Sequence, residues 1–142
     1  MGRRMTRREA PEGQLVKSVI DVLALGGCMA WRQNNLPAFT VLRRWPNKTA
    51  TVAFHRGVVR KGIADVGGIA PTGRIVQVEC KRSDGKLSDE QAQWLTDVAA
   101  AGGISMLCRS IDQVATLINQ ARLMGWDRVP SPWPGRGGDD DS

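Results

Sequence analysis

Three segments of the chain repeat apolar residues at three- and four-residue spacing, which is typical of helices that bury one face. The first segment begins after Pro11, the second at Ser88 and the third at Ser110. Glycine pairs, Gly26-Gly27 and Gly102-Gly103, end the first two segments, as glycine commonly does after a helix. The pattern therefore predicts three helices.

Short apolar runs between and after these segments are typical of strands. The expected strands cover residues 28–32, 51–54, 63–70, 74–81 and 104–108. The rest of residues 33–61 is basic and punctuated by Asn and Pro, so we expect surface loop there. Helices that alternate with short strands in this way predict an α/β fold, with a small mixed sheet flanked by helices.

Length and composition favour a single folded unit with irregular ends. The chain has 142 residues, enough for one domain. We expect a flexible basic arm at 1–10, the domain at 11–124 and a disordered Pro-, Gly- and Asp-rich tail at 125–142. No apolar run is long enough to span a bilayer, and no signal peptide follows the start. Cys28, Cys80 and Cys108 are interpreted as small buried residues of a cytoplasmic protein.

Positive charge is concentrated in the first half of the chain. The net charge is +6, and residues 1–61 hold twelve basic residues against three acidic ones. The remainder holds eight basic residues against eleven acidic ones. Such asymmetry suggests a polyanion bound on one side, although a solubilising surface explains the charge equally well.

The two strands at 63–70 and 74–81 are joined by Pro71-Thr72-Gly73, which fits a three-residue hairpin loop with glycine in the left-handed position. With this loop, Asp65 lies directly opposite Glu79. Because side chains alternate along a strand, Glu79 and Lys81 share a face. The pattern predicts two carboxylates and an ammonium group on one patch at the end of the hairpin.

Facing carboxylates repel each other and require a compensating cation. Lys81 could provide it through a structural salt bridge. A divalent ion such as Mg²⁺ would also do so, held by Asp65 and Glu79 with the backbone carbonyl of Cys80 as a further ligand. A bound Mg²⁺ or Mn²⁺ activates water and stabilises charge on a phosphate oxygen. With Lys81 assisting the water, this would be a site for phosphodiester hydrolysis.

Three runs of sequence resemble a known family of domains. They are Gly62-Ile63-Ala64-Asp65, residues 77–81 (Gln-Val-Glu-Cys-Lys) and residues 85–91 (Gly-Lys-Leu-Ser-Asp-Glu-Gln). Their order and spacing are similar to the VRR-NUC domain, the virus-type replication-repair nuclease branch of the PD-(D/E)XK superfamily. The resemblance extends over residues 11–120.

The resemblance implies a restriction-endonuclease-like core in the order α-β-β-β-α-β and a Mg²⁺- or Mn²⁺-dependent endonuclease. It makes Asp65 and Glu79 metal ligands and Lys81 the catalytic lysine. Glu12 would reach the metal through water or a second ion, and Gln91 would support the site. Similar stand-alone phage-type proteins and Holliday-junction resolvases act on branched DNA, often as homodimers, in repair and recombination. A cytoplasmic location in a bacterial or phage-infected cell would follow.

Simpler explanations exist for two of these residues. Ser88 and Gln91 fit a capping box, which by itself accounts for the glutamine. Glu12 lies in a first helical turn, where the helix dipole favours a carboxylate.

Several polar residues are candidates for binding DNA, mostly through neutralisation of phosphates. They are Arg32, Asn34, Arg43, Arg44, Arg56, Arg60, Lys61 and Lys86. A strand end followed by a turn explains Arg32 and Asn34 as well as DNA contact does. Two other functions remain open: a non-catalytic basic DNA-binding protein on the same fold, and a structural subunit whose acidic patch is a salt-bridge network.

Overall fold

A computed structural model describes residues 11–33 and 60–135, together with the backbone of two strands between them. Its helices are α1 (Glu12–Leu25), α2 (Asp89–Ala100) and α3 (Ile111–Met124). Its strands are β1 (Met29–Arg32), β2 (Phe39–Arg44), β3 (Ala50–Phe54), β4 (Val66–Ile69), β5 (Ile75–Cys80) and β6 (Ile104–Cys108). The predicted α/β fold class is confirmed.

Four strands form the central sheet, in the order β1-β4-β5-β6. The pairs β1–β4 and β4–β5 are antiparallel, whereas β5 and β6 are parallel. Parallel neighbours need a crossover connection, and α2 provides it between β5 and β6. The sheet is therefore mixed, and it is consistent with a small PD-(D/E)XK-like core.

The two faces of the sheet carry different residue types. On one face, Val76 and Val78 of β5 pack with apolar residues of α1 and α3, and these form the main core. On the other face, α2 lies over β5 and β6 through its buried Leu95 and Val98. Because alternate residues of β5 point in opposite directions, the second face receives the polar residues Gln77 and Glu79.

The hairpin between β4 and β5 has the predicted register. Gly73 has a φ of 91°, and the backbone N–H of Ala70 donates to the carbonyl of Arg74 at 2.8 Å. Val66 pairs with Val78, and Gly67 pairs with Gln77. The same offset aligns Asp65, which precedes β4, with Glu79.

The prediction for residues 33–61 was wrong in one respect. A second sheet pairs β2 with β3, with Phe39 opposite Phe54, where the sequence predicted a single strand and surface loop. The register shifts between Val41 and Arg43, and this irregularity interrupts the two-residue period by which strands are recognised. The predicted arm at 1–10 lies outside the described residues.

The chain after α3 also differs from the prediction of disorder over its described part, residues 125–135. Trp126 is buried and Val129 is only 1% exposed, and both join the main core. The Arg74 guanidinium donates to the carbonyls of Trp126 at 2.9 Å and Val129 at 2.6 Å. Buried apolar side chains and bonded carbonyls thus offset the disorder that the Pro and Gly content favours.

The same segment covers the edge of the sheet at β6. The backbone N–H of Ser105 donates to the Ser131 hydroxyl at 2.9 Å, and its carbonyl accepts from the backbone N–H of Trp133 at 2.8 Å. The indole N–H of Trp133 donates to the hydroxyl of Thr96 on α2 at 2.9 Å. Covering an edge strand satisfies backbone groups that would otherwise invite pairing with another chain.

We predict that Arg74→Ala lowers the free energy of unfolding by about 2 kcal/mol, since hydrogen bonds from a charged donor to buried carbonyls are lost. Urea denaturation followed by circular dichroism measures this change. Arg128→Ala removes the same charge from an exposed side chain nearby and should change stability by less than about 0.5 kcal/mol. Equal losses of stability in the two variants would contradict a stabilising role for the hydrogen bonds from Arg74 to Trp126 and Val129.

The three cysteines are buried and free, as predicted. In the part of the chain that the structure describes, none of the helices has the length and apolar character that crossing a bilayer requires.

Candidate active site

Two carboxylates meet where the hairpin ends. Glu79 belongs to β5 and is 1% exposed, beneath α2. Asp65 lies just before β4, and its Oδ2 accepts a hydrogen bond from the backbone N–H of Cys80 at 3.0 Å. This bond ties the Asp65 side chain to the strand that carries Glu79. The facing arrangement predicted from the hairpin is therefore present.

The two oxygens of Glu79 have different surroundings. Oε1 accepts a hydrogen bond from Nε2 of Gln91 at 3.0 Å and lies 3.8 Å from Nζ of Lys81. Oε2 is buried and has no hydrogen-bond partner among the described residues. A buried carboxylate oxygen without a partner requires either a proton or a cation.

The electrostatics of the pair lead to the same alternatives. Burial, and secondly the Asp65 carboxylate, raise the pKa of Glu79 to about 8, although Lys81 acts in the opposite direction. Glu79 therefore tends to hold a proton at neutral pH when no cation is present. A divalent ion would replace that proton.

The donor set fits a hard divalent ion. Within the described residues, no three His, Cys, Asp or Glu side chains are grouped to hold a metal. The protein ligands would therefore be the carboxylates of Asp65 and Glu79, with backbone carbonyls and water completing the shell. Mg²⁺ is commonly bound in this way, through one or two carboxylates and several waters.

Gln91 makes the capping contact that the sequence pattern predicted and also contacts the carboxylate site, which the family resemblance implied that it supports. Its Oε1 accepts from the backbone N–H of Ser88 at 2.9 Å, while the Ser88 hydroxyl accepts from the backbone N–H of Gln91 at 3.1 Å. This is the predicted capping box of α2. Its Nε2 simultaneously donates to Glu79. The two ends of one amide therefore cap the helix and bind the buried carboxylate.

Glu12 contacts the start of the loop that follows Lys81. It occupies the first turn of α1, and its Oε1 accepts from the backbone N–H of Arg82 at 3.2 Å. The loop that begins at Arg82 is also held by Arg109, whose Nη1 donates to the carbonyls of Arg82 at 2.6 Å and Gly85 at 2.7 Å. The two contacts fix the chain immediately after Lys81.

A close backbone approach positions the segment that carries Asp65. Gly62 has a φ of 88°, and a Cβ at this position would lie 2.5 Å from the carbonyl carbon and oxygen of Glu90 in α2. Only glycine combines this conformation with this contact. The start of α2, and with it Gln91, is thereby held close to the Asp65 segment.

Four of the predicted DNA contacts have described side chains. Arg60 pairs with Asp97 and lies over the ring of Trp94, 5.2 Å from its centroid. Lys61 lies 3.5 Å from Glu90, and Lys86 is exposed. Arg32 donates to the carbonyl of Gly13 in α1 at 3.2 Å. The predictions for Asn34 and Arg56, and for the side chains of Arg43 and Arg44, lie outside the described residues.

A polar row formed by Gln33, Gln77 and Trp94 lies beside the carboxylates, and it was not predicted from the sequence. Gln77 is buried, and its Oε1 accepts from the indole N–H of Trp94 at 3.0 Å and from Nε2 of Gln33. Trp94 of α2 is only partly buried, and this contact satisfies its indole N–H. The alternation of β5 places Gln77 on the same face as Glu79, and that was the available signal.

The mixed sheet thus carries a half-buried Asp65 and a buried Glu79 beside Lys81, in a fold consistent with a small PD-(D/E)XK-like core. The family model of the VRR-NUC domain matches residues 28–112. The chain therefore belongs to the VRR-NUC family, whose members are generally nucleases and typically use divalent metals. A comparison with curated proteins gave no match. The family match confirms the resemblance found in the sequence.

Proposed function

We propose that this protein is a Mg²⁺- or Mn²⁺-dependent endodeoxyribonuclease that hydrolyses phosphodiester bonds in branched or otherwise structured DNA. The observation that carries the proposal is the buried Oε2 of Glu79, which has no hydrogen-bond partner among the described residues, in a carboxylate whose pKa is raised by burial and secondly by the neighbouring Asp65. Membership of a nuclease family supports the same activity.

The residues of the pair would hold the ion between β4 and β5. Asp65 and Glu79 supply carboxylate oxygens, and the backbone carbonyl of Cys80 is a further candidate ligand. Glu12 would act through water or a second ion, since its carboxylate already accepts from the backbone of Arg82. When bound, the ion supplies activation of water and stabilisation of charge on a phosphate oxygen.

Lys81 is placed to assist hydrolysis directly. Its side chain is 18% exposed, so its ammonium group is held near Glu79 while part of the side chain remains accessible. From there the ammonium group would orient the attacking water or neutralise charge on the pentavalent phosphate, and as a neutral amine it would deprotonate the water. Gln91 positions Glu79 through its hydrogen bond and does not need to contact DNA.

Branched DNA is the favoured substrate because the described fold contains no module that reads base sequence, such as a zinc finger or a helix-turn-helix. Cutting both strands of a junction requires two active sites, and a homodimer would supply them. Arg32, Arg60, Lys61 and Lys86 are the described candidates for phosphate contacts, which would make binding depend strongly on salt.

The test uses labelled linear, nicked, flap and four-way-junction DNA, incubated with Mg²⁺, Mn²⁺ or EDTA. The proposal expects products from flap or junction DNA only when a divalent ion is present, and their loss in Lys81→Ala. The alternative, a non-catalytic DNA-binding protein, expects salt-sensitive binding of all substrates without products under any condition. Metal-dependent products from the wild type separate the two, and Asp65→Ala should then bind DNA and leave it uncut, which shows that the loss of products is not a loss of binding.

Gln91→Glu should remove the hydrogen bond from residue 91 to Glu79 and keep the one that caps α2. Glutamate at this position still accepts from the backbone of Ser88, so helix capping persists. It places a carboxylate against Glu79 in place of an amide donor, and cleavage should fall roughly 10- to 100-fold. Ser88→Ala is the matched variant: it removes the cap and costs about 1 kcal/mol of stability while leaving the Glu79 contact in place. Cleavage rates and urea denaturation of both variants measure these two effects. Equal cleavage by Gln91→Glu and wild type would contradict a contribution of the Gln91–Glu79 contact to activity.

A further inference from the structure

Trp31 lies on the same face of the sheet as the carboxylates, one row away from them. It pairs with Gly67 of β4, and Gly67 pairs with Gln77 of β5. Asp65 and Glu79 are each two residues further along those strands. A two-residue step is about 7 Å and neighbouring strands lie about 5 Å apart, so the backbone of Trp31 is roughly 8 Å from that of Asp65 and roughly 12 Å from that of Glu79. The indole is therefore within reach of a base that flanks a phosphate bound at the carboxylates.

The indole of Trp31 is held in place although it is 39% exposed. Its N–H donates to Oε1 of Gln33 at 3.2 Å, and Nε2 of Gln33 donates to the buried Gln77. A Cβ on Gly67 would lie 2.9 Å from Cε2 of Trp31, so the ring occupies space that only glycine leaves open. The ring therefore has a fixed orientation and would lose little conformational freedom on binding a ligand.

We propose that Trp31 is a specificity residue that stacks on an unpaired nucleobase next to the phosphodiester that is cut. This inference rests on the proposed nuclease function. Aromatic side chains stack on the bases of single strands whatever their sequence, whereas bases inside a continuous duplex are not accessible to them. Trp31 would thus favour DNA in which a base beside the cleaved bond is unpaired, as at a flap or a branch point.

Exposed apolar residues beyond Trp31 give the face another possible use. Met29 pairs with Ile69, Ile69 pairs with Ile75, and all three are exposed. A second protein chain could cover such a row. We favour a nucleobase as the ligand of this face, because Trp31 lies beside the carboxylates and the polar row fixes its ring. The experiment below distinguishes a nucleobase from a second protein chain.

The test measures binding by fluorescence anisotropy in EDTA, so that it does not depend on cleavage. The probes are flap and four-way-junction DNA with one abasic site, moved nucleotide by nucleotide through the branch point. For wild type, loss of one particular base should weaken binding roughly tenfold to a hundredfold. Trp31→Ala should weaken binding to intact DNA by the same factor and be insensitive to loss of that base. Trp31→Phe should retain most of the affinity, and Met29→Ala should bind as wild type does.

Each result decides the matter. Wild-type binding that is indifferent to every abasic site overturns the stacking, even where the same DNA is cut with Mg²⁺ and the nuclease proposal stands. Base-dependent binding without cleavage in any metal supports the stacking and overturns the nuclease. If Trp31→Ala and Met29→Ala both change the sedimentation coefficient, and the loss of affinity is the same at every abasic position, the face is a protein interface and the inference is wrong.

Discussion

Glu79→Gln should reduce Mg²⁺-dependent cleavage by at least about a thousandfold, because several kilocalories per mole of charge stabilisation depend on the metal that this carboxylate would hold. Glutamine has nearly the same shape, and its oxygen can still accept from Gln91. The fold should therefore persist while one anionic ligand is lost. Single-turnover rates on the best-cut substrate, with protein in excess over DNA, measure the effect without a contribution from product release.

Glu90→Gln is the matched control for this substitution. Glu90 lies in the first turn of α2 and pairs with Lys61 at the surface, so the variant removes the same charge one residue before Gln91. Surface ion pairs contribute little, and the rate should stay within about twofold of wild type. A similar loss in both variants would show that overall charge matters, not a specific site at Glu79.

The stability of the metal-free protein should fall as the pH rises from 5 to 9. The pKa of Glu79 is raised from 4.5 to about 8 in the folded protein, chiefly by burial and then by Asp65. Between these two values the folded state holds a proton that the unfolded state has released. The stabilisation is therefore complete below pH 4.5 and is lost as the pH passes through about 8. Between pH 5 and about 8 this window spans roughly three pKa units of about 1.4 kcal/mol each, so the fall should be on the order of 4 kcal/mol.

Urea denaturation in EDTA at pH 5, 7 and 9 measures this dependence. Glu79→Gln has no titrating group at this position and should show a much flatter profile, which isolates Glu79 from the other ionisable groups. The free energies of unfolding of wild type and Glu79→Gln should therefore differ less at pH 5 than at pH 9. Parallel curves for wild type and variant across this range are the result that this explanation does not allow.

The central pair could be predicted from the sequence because a short local signal determines it. The loop Pro71-Thr72-Gly73 fixes the hairpin register, and the register alone brings Asp65 opposite Glu79. The family resemblance implied a supporting role for Gln91 at the site, without naming the residue that it contacts. The residues themselves suggested only the capping box, and both contacts are present.

Other features depend on long-range packing that local patterns do not report. Residues 125–135 have a composition typical of disorder, yet Arg74, which is distant in sequence, binds two of their carbonyls. The β2 strand is interrupted by a bulge, which obscures its period. The row from Trp31 to Gln77 is formed by three separate strands, so it becomes visible only once the sheet order β1-β4-β5 is known.

The most direct measurement is calorimetric titration of Mn²⁺ into wild type, Asp65→Asn, Glu79→Gln and Glu90→Gln at pH 8.5, where Glu79 is mostly ionised. We predict binding by wild type and by Glu90→Gln, and loss of at least one bound ion in both Asp65→Asn and Glu79→Gln. Unchanged binding in those two variants would place the metal elsewhere. Absence of binding by wild type, alone and with DNA present, would contradict a metal site formed by Asp65 and Glu79.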